Sequence, residues 1–250
     1  MSSQKKIKKN SSIWWKRNKK NLKKTKTNKY SFSFTQFIDK NIKMFFVLLF
    51  AFAFAKKGVD YSTLVSTSKL TCLKDAGYTF VIPRCWCSVG SMDSNCVQNL
   101  KNGHSAGMSR VDAYFFPCYS CGNVAGQVST FWSKTVSNSM DFTTLWFDVE
   151  GTWSSSYSTN QKFYEEMVNK ATSIGINYGI YVSKHYWTKF FGSSYKWSGA
   201  SSHKLWYPHY DDSASFSDFV SFGGWTTPYI KQYKGTTSKC SASVDLNYQK

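Results

Sequence analysis

The stretch Leu145–Gly151, LWFDVEG, sets three large apolar residues ahead of an Asp and a Glu two positions apart and closes on glycine. A buried strand ordinarily continues in Val or Ile, because a charge near low-dielectric surroundings must be solvated, paired or neutralised. Side chains alternate along a strand, so Leu145 and Phe147 share one face while Trp146, Asp148 and Glu150 share the other. The two carboxylates then stand roughly 7 Å apart on that face, and Gly151 lets the chain turn away. Such a segment reads as a buried strand that delivers a pair of acids to its end.

Working outward, short runs rich in β-branched and aromatic residues recur along the chain. They are GVDYS (58–62), YTFVIPRCW (78–86), VDAYFFPC (111–118), TTLWFDVE (143–150), YGIYVS (178–183), KLWYPHYD (204–211), PYIKQY (228–233) and SVDLNY (243–248). These are eight candidate strands. TNQKFYEEMVNKATSIG is the clearest helix between them, with Thr159 as cap, Phe163, Met167 and Ala171 at every fourth position and Gly175 as its end. VAGQVSTFWSKTV and DSNCVQNLKNGHSAG also read as helices, and the helical signal thins after the fifth strand. The fold expected is α/β: an irregular, flattened, parallel TIM-like (β/α) barrel with eight strands and fewer than eight helices.

Reactive groups in such barrels gather where the strands end. That rule selects Asp60 on the first strand, Asp148 and Glu150 on the fourth, and Asp245 on the eighth, which neighbours the first in a closed ring. Like charges in one cleft repel, so this arrangement raises a carboxyl's pKa and leaves it a proton to donate. Aromatic residues accompany the acids: Tyr114, Trp146, Tyr181, Trp206, Tyr210 and Tyr233, with Gln232 beside the last. Rings that stack on C–H faces, together with acids and amides that bond hydroxyls, suit a sugar. In a chain that is 18% aromatic, several of these rings also fit an ordinary core.

The ordered set GVDYS, DVE, GIYVS, LWYPHY and KQY…VDLN, from Gly58 to about Tyr248, resembles glycoside hydrolase family 25 lysozymes of the Chalaropsis type. The cysteine-bearing VDAYFFPCYSCG is more similar to the eukaryotic branch found in amoebae and nematodes. The resemblance implies an N-acetylmuramidase that cuts the β-1,4 bond between N-acetylmuramic acid and N-acetylglucosamine in bacterial peptidoglycan, in defence or digestion. It implies Glu150 as general acid, Asp148 as the second carboxylate, and Asp60 and Asp245 as the aspartates completing the cleft. Asp148 then either attacks directly or orients the substrate's own 2-acetamido group. A sugar-binding barrel without activity is the alternative, and the presence of all four acids speaks against it.

The net charge of +18 invites a nucleic-acid reading, but its distribution does not support one. Residues 1–43 carry 14 Lys/Arg against one acid, whereas 18 Lys/Arg face 13 Asp/Glu from Lys56 onward. The organisation expected is a basic leader or gene-model extension (1–43), a signal-peptide hydrophobic core (44–55) and a glycoside hydrolase barrel (56–250). MFFVLLFAFAFA (44–55) is too short to span a bilayer and ends in the small-x-small pattern cleaved by signal peptidase, here after Ala55. The expected product is a monomer without a membrane anchor, secreted or delivered to a phagosomal or lysosomal lumen. All seven cysteines follow that cleavage point, which favours disulfides and leaves one thiol over. No cofactor or metal is implied, since His104, His185, His203 and His209 show no ligand spacing with the acids and His209 reads as a cleft or core residue.

Overall fold

The computed structural model describes residues 55–250; the expected leader and nearly all of the expected signal-peptide core lie outside them. All eight expected strand segments form strands. In chain order the elements are β1 (Lys56–Tyr61), α1 (Thr67–Asp75), β2 (Tyr78–Cys87), β3 (Ser91–Met92), α2 (Cys96–Ser105), β4 (Arg110–Val111), β5 (Ala113–Phe115) and α3 (Val124–Ser137). There follow β6 (Leu145–Asp148), α4 (Tyr157–Ser173), β7 (Tyr178–Tyr181), α5 (Lys184–Phe191), β8 (Leu205–Pro208), β9 (Ile230–Lys239) and β10 (Ala242–Gln249). The third expected strand is split into β4 and β5, and β3 is a two-residue addition paired to the end of β2.

The strands close into a ring in the order β1, β10, β9, β8, β7, β6, β5, β2, with β2 returning to β1. The expectation of a wholly parallel sheet is corrected at one place. β10 runs antiparallel to both β9 and β1, while the other pairs of the ring are parallel. The reason is local: β9 and β10 are joined by only Cys240 and Ser241, both at positive φ (51° and 57°). A two-residue turn returns the chain antiparallel, whereas a parallel crossover needs a dozen residues or more.

Packing divides by strand face as alternation requires. Leu145, Phe147 and Val149 point outward into a core shared with Val128 and Phe131 of α3 and Tyr164, Met167 and Val168 of α4. Phe80, Ile82, Trp146, Tyr181, Trp206 and Ile230 fill the barrel interior. Gly179 makes room for this filling, because a Cβ there would stand 2.4 Å from the Trp146 ring. Helix α4 begins one turn earlier than the sequence suggests: Ser156, not Thr159, is the cap, its Oγ accepting from Thr159 N. Two helices had no clear sequence signal, the nine-residue α1 and the eight-residue α5. Among the described residues, no helix is long and apolar enough to cross a membrane.

Three disulfides join Cys72 to Cys240, Cys85 to Cys96 and Cys118 to Cys121. Cys87 is the thiol left over among the described residues. The first bridge ties α1 to the β9–β10 turn across 168 residues of chain. Closing so long a loop restricts the unfolded chain strongly. Replacing Cys72 and Cys240 together by Ser is expected to lower the unfolding free energy by about 2–4 kcal/mol. Urea denaturation checks this, and an unchanged midpoint would show that the hairpin closes the barrel unaided.

Candidate active site

One end of the barrel collects the acids. Asp60 is next to last in β1, Asp148 ends β6, Glu150 lies two residues beyond it, and Asp245 stands in the middle of β10, where an irregularity in the pairing with β9 sets it apart. Because β10 is antiparallel, Asp245 arrives by register and not by strand end: it is the direct partner of Asp60. The four acids border one pocket together with Tyr114, Tyr181, Trp206, Tyr210 and Gln232. A second pocket adjoins it, sharing Asp60, Tyr114 and Asp245 and extending past Ser62, Thr63, Thr236 and Ser243. The cleft is therefore a groove longer than the acid cluster, with hydroxyls along its extension.

Two amides organise the acids. Gln232 Nε2 donates to Asp60 Oδ1 at 2.9 Å and Oδ2 at 3.0 Å and lies 3.2 Å from Asp245 Oδ2. Its Oε1 accepts from the hydroxyls of Tyr181 and Tyr210, each at 2.8 Å. Asn247 Nδ2 donates to Asp60 Oδ1 at 2.6 Å, and Asn247 Oδ1 accepts from the Trp206 indole at 2.8 Å. Asp245 also accepts from the backbone N–H of Thr236. Asn247 was not singled out from sequence, although it lies two residues beyond Asp245 on the same strand.

Nine of the eleven sequence-selected residues converge here and two do not. Trp146 is fully buried one layer below the mouth, where its indole N–H donates to Asp112 Oδ2 at 2.9 Å. Tyr233 faces the other way from Gln232, into the outer core. Alternation along β9 accounts for it: inward Gln232 makes its neighbour outward. Trp206 borders the pocket, but it is buried and its N–H is spent on Asn247. Tyr210, exposed at 61%, is the open ring at the rim.

All four acids titrate upward, mainly through burial. Asp60 is pushed up to about 8 by burial and then by the charge of Asp245, with the Asn247 and Gln232 hydrogen bonds opposing. Burial, then Glu150 and Asp60, holds Asp148 well above the usual carboxylate range, and Arg84 pulls the other way. Glu150 is raised by burial first and by Asp245 second, so burial outweighs the like charges expected to dominate from sequence. Burial likewise raises Asp245. Asp148 Oδ1 is buried without a hydrogen-bond partner among the described residues.

His209 belongs to neither the cleft nor the core. It is half exposed, with Nδ1 2.6 Å from Asp218 Oδ2 and 3.6 Å from Asp211 Oδ2. The fully buried Lys231 bonds the same two aspartates at 2.7 and 2.8 Å. Contrary to the expectation that no histidine has ligand spacing with the acids, the candidate ligand atoms of His209, Asp211 and Asp218 lie within 4.8 Å of one another, and the Lys231 ammonium pairs with both aspartates.

Residues 51–233 match the family described as lysozyme-like protein 1. The chain is similar to probable GH family 25 lysozyme 5 of Dictyostelium discoideum, 39% identical and covering 81% of this chain and 94% of the relative. It is equally similar to lysozyme-like protein 5 of Caenorhabditis elegans, at 40% identity over 83% of this chain and 99% of the relative. A solved GH25 lysozyme from Aspergillus fumigatus shares the fold, with a TM-score of 0.65 and 16% identity over 79% of this chain and 94% of that one. With its closed eight-stranded barrel and convergent acids, the chain belongs to the glycoside hydrolase family 25 lysozymes.

Proposed function

We propose that this chain is an N-acetylmuramidase that hydrolyses the β-1,4 bond between N-acetylmuramic acid and N-acetylglucosamine in bacterial peptidoglycan. The observation that carries this reading is the convergence of Asp60, Asp148, Glu150 and Asp245 on one pocket that opens into a hydroxyl-lined groove. Glycoside cleavage needs a proton for the leaving oxygen and a negative group near an oxocarbenium-like transition state. Glu150 is the acid. It is only partly buried, and burial with the charge of Asp245 pushes its pKa upward, the direction a proton donor needs. As the C1–O bond breaks, that proton passes to the departing sugar oxygen.

Asp148 sits deeper, at 6% exposure, with its unpartnered Oδ1. A substrate N–H meets that oxygen well, which favours Asp148 orienting the 2-acetamido group to attack C1 over direct attack by the carboxylate. Water then opens the resulting ring, returning its proton to Glu150. Asp60 and Asp245, tied by Gln232, form the carboxyl wall opposite. The groove's rim ring, Tyr210, stacks on a sugar face. A barrel that only binds sugar would have no use for four carboxyl groups converging on one pocket.

The same reading places the catalytic domain at residues 56–250, released from its leader near Ala55 into an extracellular, phagosomal or lysosomal lumen and working there as a monomer without nucleic acid. Three disulfides suit an oxidising compartment of that kind.

Glu150→Gln and Asp148→Asn, made separately, are each expected to cut lysis of purified Gram-positive walls at least about hundredfold, followed as turbidity from pH about 4 to 7. Near-full activity in either would remove the role given to that residue. The acid cluster also predicts stability. Folded Asp60 keeps its proton up to about pH 8, whereas unfolded Asp60 loses it near 3.8. The folded state binds more protons across that window, so Asp60's contribution is complete below pH 4 and is lost as pH rises toward 8. Asp60→Asn is therefore expected to flatten the fall in guanidinium midpoint between pH 5 and 8; a slope equal to that of the unsubstituted protein would contradict it.

A further inference from the structure

The chain between β8 and β9, residues 209–229, contains no helix and one isolated bridge, Phe222 to Trp225. A connection of this length without regular structure is ordinarily either mobile or shaped for a task. It carries Tyr210, the open ring at the rim of the acid pocket. A ring on such a segment binds weakly if it must be ordered at the moment the ligand arrives. Tyr210 is instead held in place. Its hydroxyl donates to Gln232 Oε1 at 2.8 Å, and a Cβ at Gly235 would stand 3.3 Å from its ring, so the backbone of β9 supports it on one side.

Both sequence neighbours of Tyr210 are fastened from the outer face of the barrel. Lys231 points outward from β9, and its Nζ donates to Asp211 Oδ2 at 2.7 Å and to Asp218 Oδ1 at 2.8 Å. Asp218 Oδ2 lies 2.6 Å from His209 Nδ1, and Asp218 Oδ1 also accepts from the Tyr207 hydroxyl at 3.1 Å. Backbone bonds lay the same residues along β9, His209 N donating to Gln232 O and Asp212 N to Tyr233 O. The clamp is dry: Lys231 is fully buried, it pairs in register with Tyr207 and Tyr248, and Phe216 of the loop packs on both of those rings. Burial pushes the carboxyls of Asp211 and Asp218 up, yet both titrate below their usual range, because hydrogen bonds from the ammonium hold them as anions. An exposed pair, such as Lys234 with Asp212, holds a loop only weakly.

We propose that Lys231 is a positioning residue for the substrate: by bonding Asp211 and Asp218 it fixes residues 209–218, so that Tyr210 stands ready at the rim as a stacking platform for a sugar lying over the acids. This rests on the reading of the cleft as a glycan site with Tyr210 against a sugar face. For joining a loop to a strand, an apolar pair serves as well as a buried ion pair, and often better. What the ammonium adds is direction, because it tolerates only an arrangement that brings both carboxylates to it. β9 thus holds the rim twice, through Lys231 on its outer face and through Gln232 on its inner.

The test is steady-state cleavage of soluble, uncrosslinked peptidoglycan by the purified protein, with hydrogen exchange over residues 209–218 measured beside it. Lys231→Met leaves two carboxylates unpaired, so it is compared with the neutral triple variant Lys231→Met, Asp211→Asn, Asp218→Asn, and thermal melting reports folding in each. The triple variant is expected to exchange faster over 209–218 and to raise KM about three- to tenfold, with kcat within about twofold of the unsubstituted value. Tyr210→Ala is expected to raise KM by a similar factor, and the triple substitution added to it to raise KM no further. Factors that multiply, or a loss in kcat with KM unchanged, would overturn the proposal and leave Lys231 a residue of the fold alone. Unchanged exchange would overturn the clamp itself. EDTA is expected to leave KM of the unsubstituted protein as it is; a rise would assign the hold on Asp211 and Asp218 to a metal ion shared with His209. If exchange rises as expected but the unsubstituted protein cleaves no glycan, the muramidase reading fails, and the substrate role of Lys231 fails with it.

Discussion

The acid mouth is held together by two neutral amides. Four carboxylates at one end of a barrel repel one another, and burial penalises each as an anion. Gln232 and Asn247 offset this by donating to Asp60 from two sides while their oxygens accept hydrogen bonds from Tyr181, Tyr210 and Trp206. Every polar atom of both amide groups is thereby used, and five strands, β1, β7, β8, β9 and β10, are drawn to one point. A buried polar network satisfied in this way specifies geometry, because any shift leaves one of its members unpaired.

That network explains why the closing hairpin is where it is. A parallel eighth strand would bring its end, not its middle, to the mouth. The antiparallel β10 lays Asp245 beside Asp60 and puts Asn247 within reach of both Asp60 and Trp206. Its tight turn, which lies beyond Asp245 on the acid-bearing side, is fastened to α1 by Cys72–Cys240. The closing hairpin is thus held by a covalent staple at its turn and by hydrogen bonds at the acid mouth.

Strand positions were legible in the sequence because apolar runs with β-branched and aromatic residues stand out between polar stretches. The direction of β10 was not, since periodicity says nothing of parallel or antiparallel; only the shortness of the connection encodes it. The four acids were readable because a carboxylate on a buried face has no structural excuse. Tyr233 and Trp146 were misplaced for want of depth: sequence shows that an aromatic is near a strand end, not which face or layer it takes. Lys231 escaped notice because its bonds to Asp211 and Asp218 cross from a strand to a loop that carries no motif. His209 was drawn to the wrong place by its neighbours in the sequence, while its partner Asp218 lies across a loop.

Lys231 gives β9 a property that concerns the making of the fold more than its use. It is wholly buried against Asp211 and Asp218 on the outer face, one residue before Gln232 on the inner. Slipping β9 by a single position would exchange the two: an ammonium would enter the acid mouth and an amide would face two aspartates. The slipped strand would find attractive charges in the mouth, yet it would leave the outer aspartates beside a neutral amide, turn Ile230 out of the barrel interior and bring Tyr233 into it. The alternation of lysine and glutamine along β9 therefore acts as a proofreading mark, letting the chain distinguish its native pairing from the nearest wrong one while the last hairpin is still being added.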